Sequence, residues 1–397
     1  MNLFAATDAL AGLENYLNLR LCESLQGSVS NLQGEIGQLR HLWRLADTKQ
    51  ALEKLQQLIV RMRFQYQRVE TLLDFYLDAI NTRANPQIVA LLRACDRMAF
   101  HSMRALLSPL NRPTPAVLTY IDKGLGASIL KAGLRLWDRR TINPAAAIKL
   151  ARHNLYRPTA LVHEAGHQVA HILGWNGELA ETLSRELPEP IAPTWASWAS
   201  EITADTFAFA HTGYAAVAGL HDVVAESPRS VFRFLDGDPH PISYIRVLLG
   251  VEMCRQWYGR GPWDGMEKAW RFRYPLSEAA SGVRSLMRES LQALPKVATL
   301  CLRKPLRAFG SRSLVHFIDP GRVSPQSLLD MEEKLGKSLY LSSHWRETES
   351  LRILALTGYR IAVEPTRAVA LVRQQADWMR WAGTGIETET ETETVSV

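Results

Sequence analysis

The chain has 397 residues, 47% of them apolar and 22% charged, an ordinary composition for a globular protein of two or three domains or one large core with helical additions. No window approaches about 18 continuous apolar residues, which excludes an obvious transmembrane helix. The net charge of +6 comes with Lys and Arg spread along the sequence, so charge alone makes no case for a nucleic-acid or membrane partner. Cys22, Cys95, Cys254 and Cys301 lie far apart with no C-x-x-C pair and read as free thiols. With no basic segment leading an apolar run at the N-terminus, a cytoplasmic location is expected.

Residues 1–108 are expected to be helical. Leu10, Leu13, Leu17 and Leu21, then Leu52, Leu55, Ile59 and Met62, then Leu72, Leu73, Tyr76, Leu77 and Ile80 recur at helical spacing. This predicts a bundle or long hairpin whose stripe is core, with a docking or oligomerisation arm as the second reading. Asn85-Pro86 marks a break, and the Pro-rich run from Ser108-Pro109 to Pro115 marks a boundary.

Residues 116–275 carry the chemistry. Leu118 to Leu136 reads as a helix. A short strand follows at Ile142 or at Ile148-Lys149-Leu150, although Ala145, Ala146 and Ala147 pull toward helix. Pro158 opens a helix over Thr159–Leu173, and Gly174 closes it in the left-handed conformation. After a Pro-rich loop from Leu187 to Pro193, Thr194 is the expected N-cap of a second helix running to about Ala210, with Gly213 as its stop. Residues 276–382 form a mainly helical C-terminal region with short strands expected at Ser313–Ile318 and Arg360–Val363, and no chemical motif. Residues 383–397 repeat Glu-Thr four times and read as a disordered acidic tail.

His163-Glu164-Ala165-Gly166-His167 reads H-E-x-x-H within the first of these helices. Residues i and i+4 share a helix face, so both imidazoles can reach one metal ion. Glu164 projects from a neighbouring angle and can take a proton from a metal-bound water without being a ligand. A catalytic zinc needs a third protein ligand and an open position. Glu201-Ile202-Thr203-Ala204-Asp205, on the second helix, supplies two carboxylates one turn apart. Glu201 is the expected ligand, and Asp205 the acceptor for the distal N–H of a ligand histidine. The cluster from Asp238 to Arg246 adds His240 and Tyr244 as donors to an oxyanion. Arg246 is expected to clamp Asp205 or Glu201, ahead of binding a substrate carboxylate. His171, two turns from His163, and His211 read as supporting residues. Glu178 and Glu181 read as solvated, and Trp175, Trp195 and Trp198 as core and pocket wall. Asn154-Leu155-Tyr156 is a candidate for holding a peptide by strand addition.

The order H-E-x-x-H, E-x-x-A-D, H-P-x-x-x-x-R resembles the gluzincin clan of zinc metallopeptidases, nearest in pattern to its HtpX-like and CAAX-prenyl-protease-like branch. It is also similar to the ImmA/IrrE-like metallopeptidases, through His163-Glu164-Ala165-Gly166-His167-Gln168-Val169-Ala170-His171 and Phe207-Ala208. The likeness covers residues 157–247. It implies a mainly α, gluzincin-like helical core with a small β-sheet, zinc on His163, His167 and Glu201, Glu164 as general base and His240 at the oxyanion. The membrane spans of the HtpX-like branch and the G-x-M-E-N aminopeptidase signature are missing. The expected function is that of a zinc-dependent metalloendopeptidase acting on a protein or peptide substrate. The alternative is a helical interaction or regulatory protein with a non-catalytic metal site. Nucleic-acid binding has no helix-turn-helix, zinc-ribbon or aromatic-basic signature behind it.

Overall fold

The computed structural model describes residues 15–123, 127–133 and 143–384; Ile142 and the Glu-Thr repeat lie outside them. The fold is mainly helical with one three-stranded sheet. The chain begins with helices α1 (Asn15–Leu45), α2 (Lys49–Asn81) and α3 (Pro86–Leu107), then strands β1 (Ala116–Ile121), β2 (Ser128–Leu130) and β3 (Ala145–Leu150). Helices α4 (Thr159–Leu173), α5 (Trp175–Glu186), α6 (Ala192–Ser197), α7 (Ala199–Thr212), α8 (Tyr214–Val224), α9 (Pro228–Val231), α10 (Ser243–Tyr258) and α11 (Pro262–Arg273) follow. The remainder comprises α12 (Ser281–Arg303), α13 (Leu314–Phe317), α14 (Pro325–Leu335), α15 (Ser338–Leu341), α16 (Ser343–Thr348), α17 (Ser350–Val363) and α18 (Ala368–Gly383).

Local sequence explains several of these boundaries. Thr48 caps α2 by accepting from Ala51 N at 3.2 Å. Asn85 does the same for α3, accepting from Gln87 N at 3.0 Å, with Pro86 at the first helical position. Gly174 ends α4 at φ 68°, in the left-handed region that costs glycine nothing.

The segment expected to be helical from Leu118 to Leu136 instead supplies β1 and β2. The sheet order is β1-β3-β2, with β3 parallel to β1 and antiparallel to β2. Buried Asp96 of α3 fixes β1 by accepting from both the backbone N–H and the hydroxyl of Thr119, at 2.7 and 2.8 Å, while pairing with Arg83. Ala145, Ala146 and Ala147, whose intrinsic preference is helical, lie in the central strand. They are fully buried there, and both α1 and α4 pack against that strand. Buried Asn143 braces its entry, donating to the carbonyls of Leu130, Lys131 and Ala145 and accepting from the Tyr76 hydroxyl.

One continuous apolar core runs from α3 through α4, α7, α10 and α12 to α17 and α18. A second, smaller cluster seats Leu72, Leu73, Tyr76 and Ala79 of α2 on Ala116, Leu118 and Ala145 of the sheet. The strand expected at Ser313–Ile318 is the short helix α13, and Arg360–Val363 is the last turn of α17, whose buried Ile353, Leu354 and Leu356 continue a helical stripe. Thr194 lies inside α6 rather than at a cap, because the expected second helix breaks at Trp198 into α6 and α7. Cys95, Cys254 and Cys301 are free and buried. Among the described residues no helix is long and apolar enough to cross a membrane.

Candidate metal centre

Among the described residues, helices α4 and α7 make the most extensive helix–helix contact, and at Gly166 they approach too closely to admit a side chain. A Cβ there would lie 3.0 Å from Ala204 Cα and 3.1 Å from Phe207 Cβ. The motif glycine therefore lets α7 lie directly over the face that carries both histidines.

That contact brings His163, His167 and Glu201 together as a group able to hold a metal ion. Glu201 Oε2 lies 3.4 Å from His163 Nε2, and Glu201 Oε1 lies 3.2 Å from His167 Nε2. Donors each about 2.1 Å from a tetrahedral zinc stand about 3.4 Å apart, so the spacing of the carboxylate from each imidazole fits a metal ion. Their outward-facing atoms are also held. His163 Nδ1 lies 2.9 Å from Asp205 Oδ1, which leaves Nε2 as the donor toward the centre. His167 Nδ1 lies 3.4 Å from the Ser200 hydroxyl.

Arg246, from α10, closes the group from the other side. It donates to both oxygens of Asp205 and, at 3.0 Å, to Glu201 Oε2. Burial would raise the Glu201 pKa. Hydrogen bonds from the two imidazoles and the Arg246 charge outweigh burial and hold this carboxylate well below its usual range. Asp205 is held low in the same way, chiefly by Arg246. Burial also disfavours charge on His163, but its bonds to Asp205 and Glu201 raise its pKa to about 9. Glu164 is buried, and desolvation pushes its carboxyl up despite the neighbouring imidazoles.

The group lies in a cleft of about 900 Å³ also lined by Glu164, Ser128 and Ile129 of β2, and an apolar wall that includes Val217, Leu220, Leu249 and Met253. Gln168, the residue after the motif, ties the sheet to this cleft. Its side chain accepts from Ala132 N at 2.7 Å and donates to Ala132 O at 3.1 Å, fixing the chain just after β2.

His240 stands at the rim, with its side chain 60% exposed and Nε2 3.7 Å from Glu201 Oε1. Asp238 orients the ring through Nδ1 at 2.7 Å, a role the sequence reading did not assign. Tyr244 does not join the site. It is 1% exposed and packs on Phe232 and Trp270, because two residues on a helix point nearly opposite ways and Arg246 already faces the centre. His171 is exposed on α4 and outside the donor group. Trp175, Trp195 and Trp198 are all core, and none lines the cleft. Glu178 is not simply solvated: it accepts from the backbone N–H groups of Arg307 and Ala308, both at 2.7 Å. Asn154 and Tyr156 do line the cleft, but Arg152–Asn154 forms a 3₁₀ turn, so the strand beside the cleft is β2.

Lys131, which follows β2, escaped the sequence reading. It is half-buried in the cleft wall, where burial lowers its pKa against the opposing pull of Glu201 and Glu164. A segment read as helix gave no signal for it. Compared with family models, curated proteins and solved structures, the chain matches none.

Proposed function

We propose that this chain is a zinc-dependent metalloendopeptidase acting in the cytoplasm on protein or peptide substrates. The reading rests on one observation: two imidazole Nε2 atoms and a carboxylate at metal-ligand spacing, with a second, non-ligand carboxylate, Glu164, beside them in an open cleft. A zinc ion held by His163, His167 and Glu201 supplies Lewis acidity toward a water and a carbonyl oxygen. Glu164, with its pKa raised by burial, takes the proton of the attacking water and returns it to the leaving amine. His240, its Nδ1–H held by Asp238, donates from Nε2 to the developing oxyanion in the form that carries a proton on both ring nitrogens. Asp205 keeps the His163 proton on Nδ1, and Arg246 holds Asp205 and Glu201 in register.

A peptide substrate is supported by β2. Among the described residues it is an outer strand of the sheet, paired on one side only, and it lines the cleft, so an extended segment can add to it through backbone hydrogen bonds. The buried free thiols of Cys95, Cys254 and Cys301 suit a reducing compartment. The test is Glu164→Gln assayed on a mixed peptide library, with zinc content measured alongside. Retained zinc with lost cleavage supports the proposal; cleavage at the wild-type rate refutes it.

A further inference from the structure

The α1–α2 hairpin stands apart from this chemistry. Its base is seated on the sheet, but between Lys49 and Arg68 the only buried side chain on α2 is Leu55. Of the fifteen large apolar side chains that are exposed among the described residues, nine belong to this hairpin. Trp43 is 65% exposed and Leu45 62% at the tip, and Val60 and Phe64 follow on α2 at 47% and 56%.

The charge of the same segment is equally uneven. Residues 40–68 contain Arg40, Arg44, Lys49, Lys54, Arg61, Arg63 and Arg68 against Asp47 and Glu53. That is seven cations and two anions, a local net charge of +5. Segments of similar net charge occur elsewhere in the chain, in keeping with the expected spread; what sets this one apart is that its cations stand among exposed apolar side chains. All but Arg68 are exposed.

We propose that the tip of this hairpin docks on an anionic lipid surface. Each half of the composition removes a competing occupant. A second copy of the chain would set +5 against +5. A nucleic acid would satisfy the cations but has no use for bare aliphatic side chains such as Leu45 and Val60. Apolar side chains also project from more than one face. Leu52 and Ile59 share one side of α2, and Val60 and Phe64 lie roughly 100° round the helix, which suits a surrounding apolar medium better than a single groove. Trp, Phe and Leu interleaved with Lys and Arg are the side chains that settle at the boundary between headgroups and acyl chains.

The experiment is flotation of the full-length protein with vesicles of phosphatidylcholine alone, or of phosphatidylcholine with about one third phosphatidylglycerol. The expected result is binding to the anionic vesicles only, release at about 0.5 M salt, and a partition coefficient about tenfold lower in the double variant Trp43→Ser, Leu45→Ser. These side chains are exposed, and an unchanged Tm in the variant confirms that its fold is intact. Absence of binding to anionic vesicles, or binding that the double variant leaves unchanged, overturns the proposal. So does binding of RNA or of an acidic protein at equal salt without vesicle binding. Self-association lost in the double variant, seen in place of flotation, overturns it in favour of a second copy.

Discussion

In the core around α4, α7 and α10, the charged side chains of Glu201, Asp205 and Arg246 are held out of solvent and answered by one another and by the two imidazoles. Glu201 meets two imidazoles and a guanidinium, Asp205 meets His163 and Arg246, and Gly166 removes the side chain that would hold the helices apart. In the α1–α2 hairpin the arrangement is reversed: apolar side chains face water and the cations beside them are exposed. Burying a charge is costly unless it is paired, whereas exposing a tryptophan costs little and leaves a surface available. The contrast separates a region whose charges fix one geometry from one whose apolar side chains are left facing outward.

Substitutions should therefore be severe in the core and mild in the hairpin. The largest effect is expected from Glu164→Gln, which should reduce peptide hydrolysis by about 10²–10⁴-fold while zinc content stays at the wild-type level; steady-state kinetics beside elemental analysis checks this. Next is Arg246→Leu. It leaves Glu201 and Asp205 buried without their cation, and urea unfolding of the metal-free protein should show a loss of about 3–5 kcal/mol. Asp205→Asn keeps the shape but weakens the hold on His163 Nδ1. Zinc affinity by chelator competition should fall about 10–100-fold, and an unchanged affinity would remove Asp205 from the account.

Acid should act on the core through two histidines away from the metal group. Burial lowers the pKa of His211 to about 3 and that of His101 to about 4, against an ordinary value of 6.5. The unfolded chain therefore takes up protons that the folded chain refuses. Their contribution is fully present above pH 6.5 and declines as pH falls toward 4 and 3. Each histidine should remove about 2 kcal/mol by pH 5. His211→Gln should lose correspondingly less stability than the wild type between pH 7.5 and pH 5, measured by denaturant unfolding; equal losses would refute the assignment. The smallest effect is expected from Trp43→Ser, within about 0.5 kcal/mol of wild type.

The ligand-bearing parts of the centre were legible because helical spacing is geometry. H-E-x-x-H and E-x-x-A-D each fix two side chains on one face, and the structure brings the two faces together. Asp205 was legible for the same reason, and Arg246 as a cation able to pair with those carboxylates. What lies off those faces was legible only in part. Of the sheet, the strand at Ile148-Lys149-Leu150 was legible, and it forms the end of β3; its first half was not, because Ala145, Ala146 and Ala147 favour helix on their own and become strand only when packed between neighbours, and β1 and β2 lay in a segment read as helix. Lys131 depends on that sheet. Tyr244 was misplaced because a neighbour in sequence two positions from Arg246 points away from it, into an aromatic cluster with Phe232 and Trp270. Glu178 caps a turn more than a hundred residues downstream, a partnership no local pattern encodes.

The most direct test of the central claim is the metal content of protein purified without added metal, measured by elemental mass spectrometry on the wild type and on Glu201→Ala. The account predicts about one zinc per wild-type chain and its loss in the variant. A wild-type protein that carries no metal, even after zinc is supplied, would contradict it.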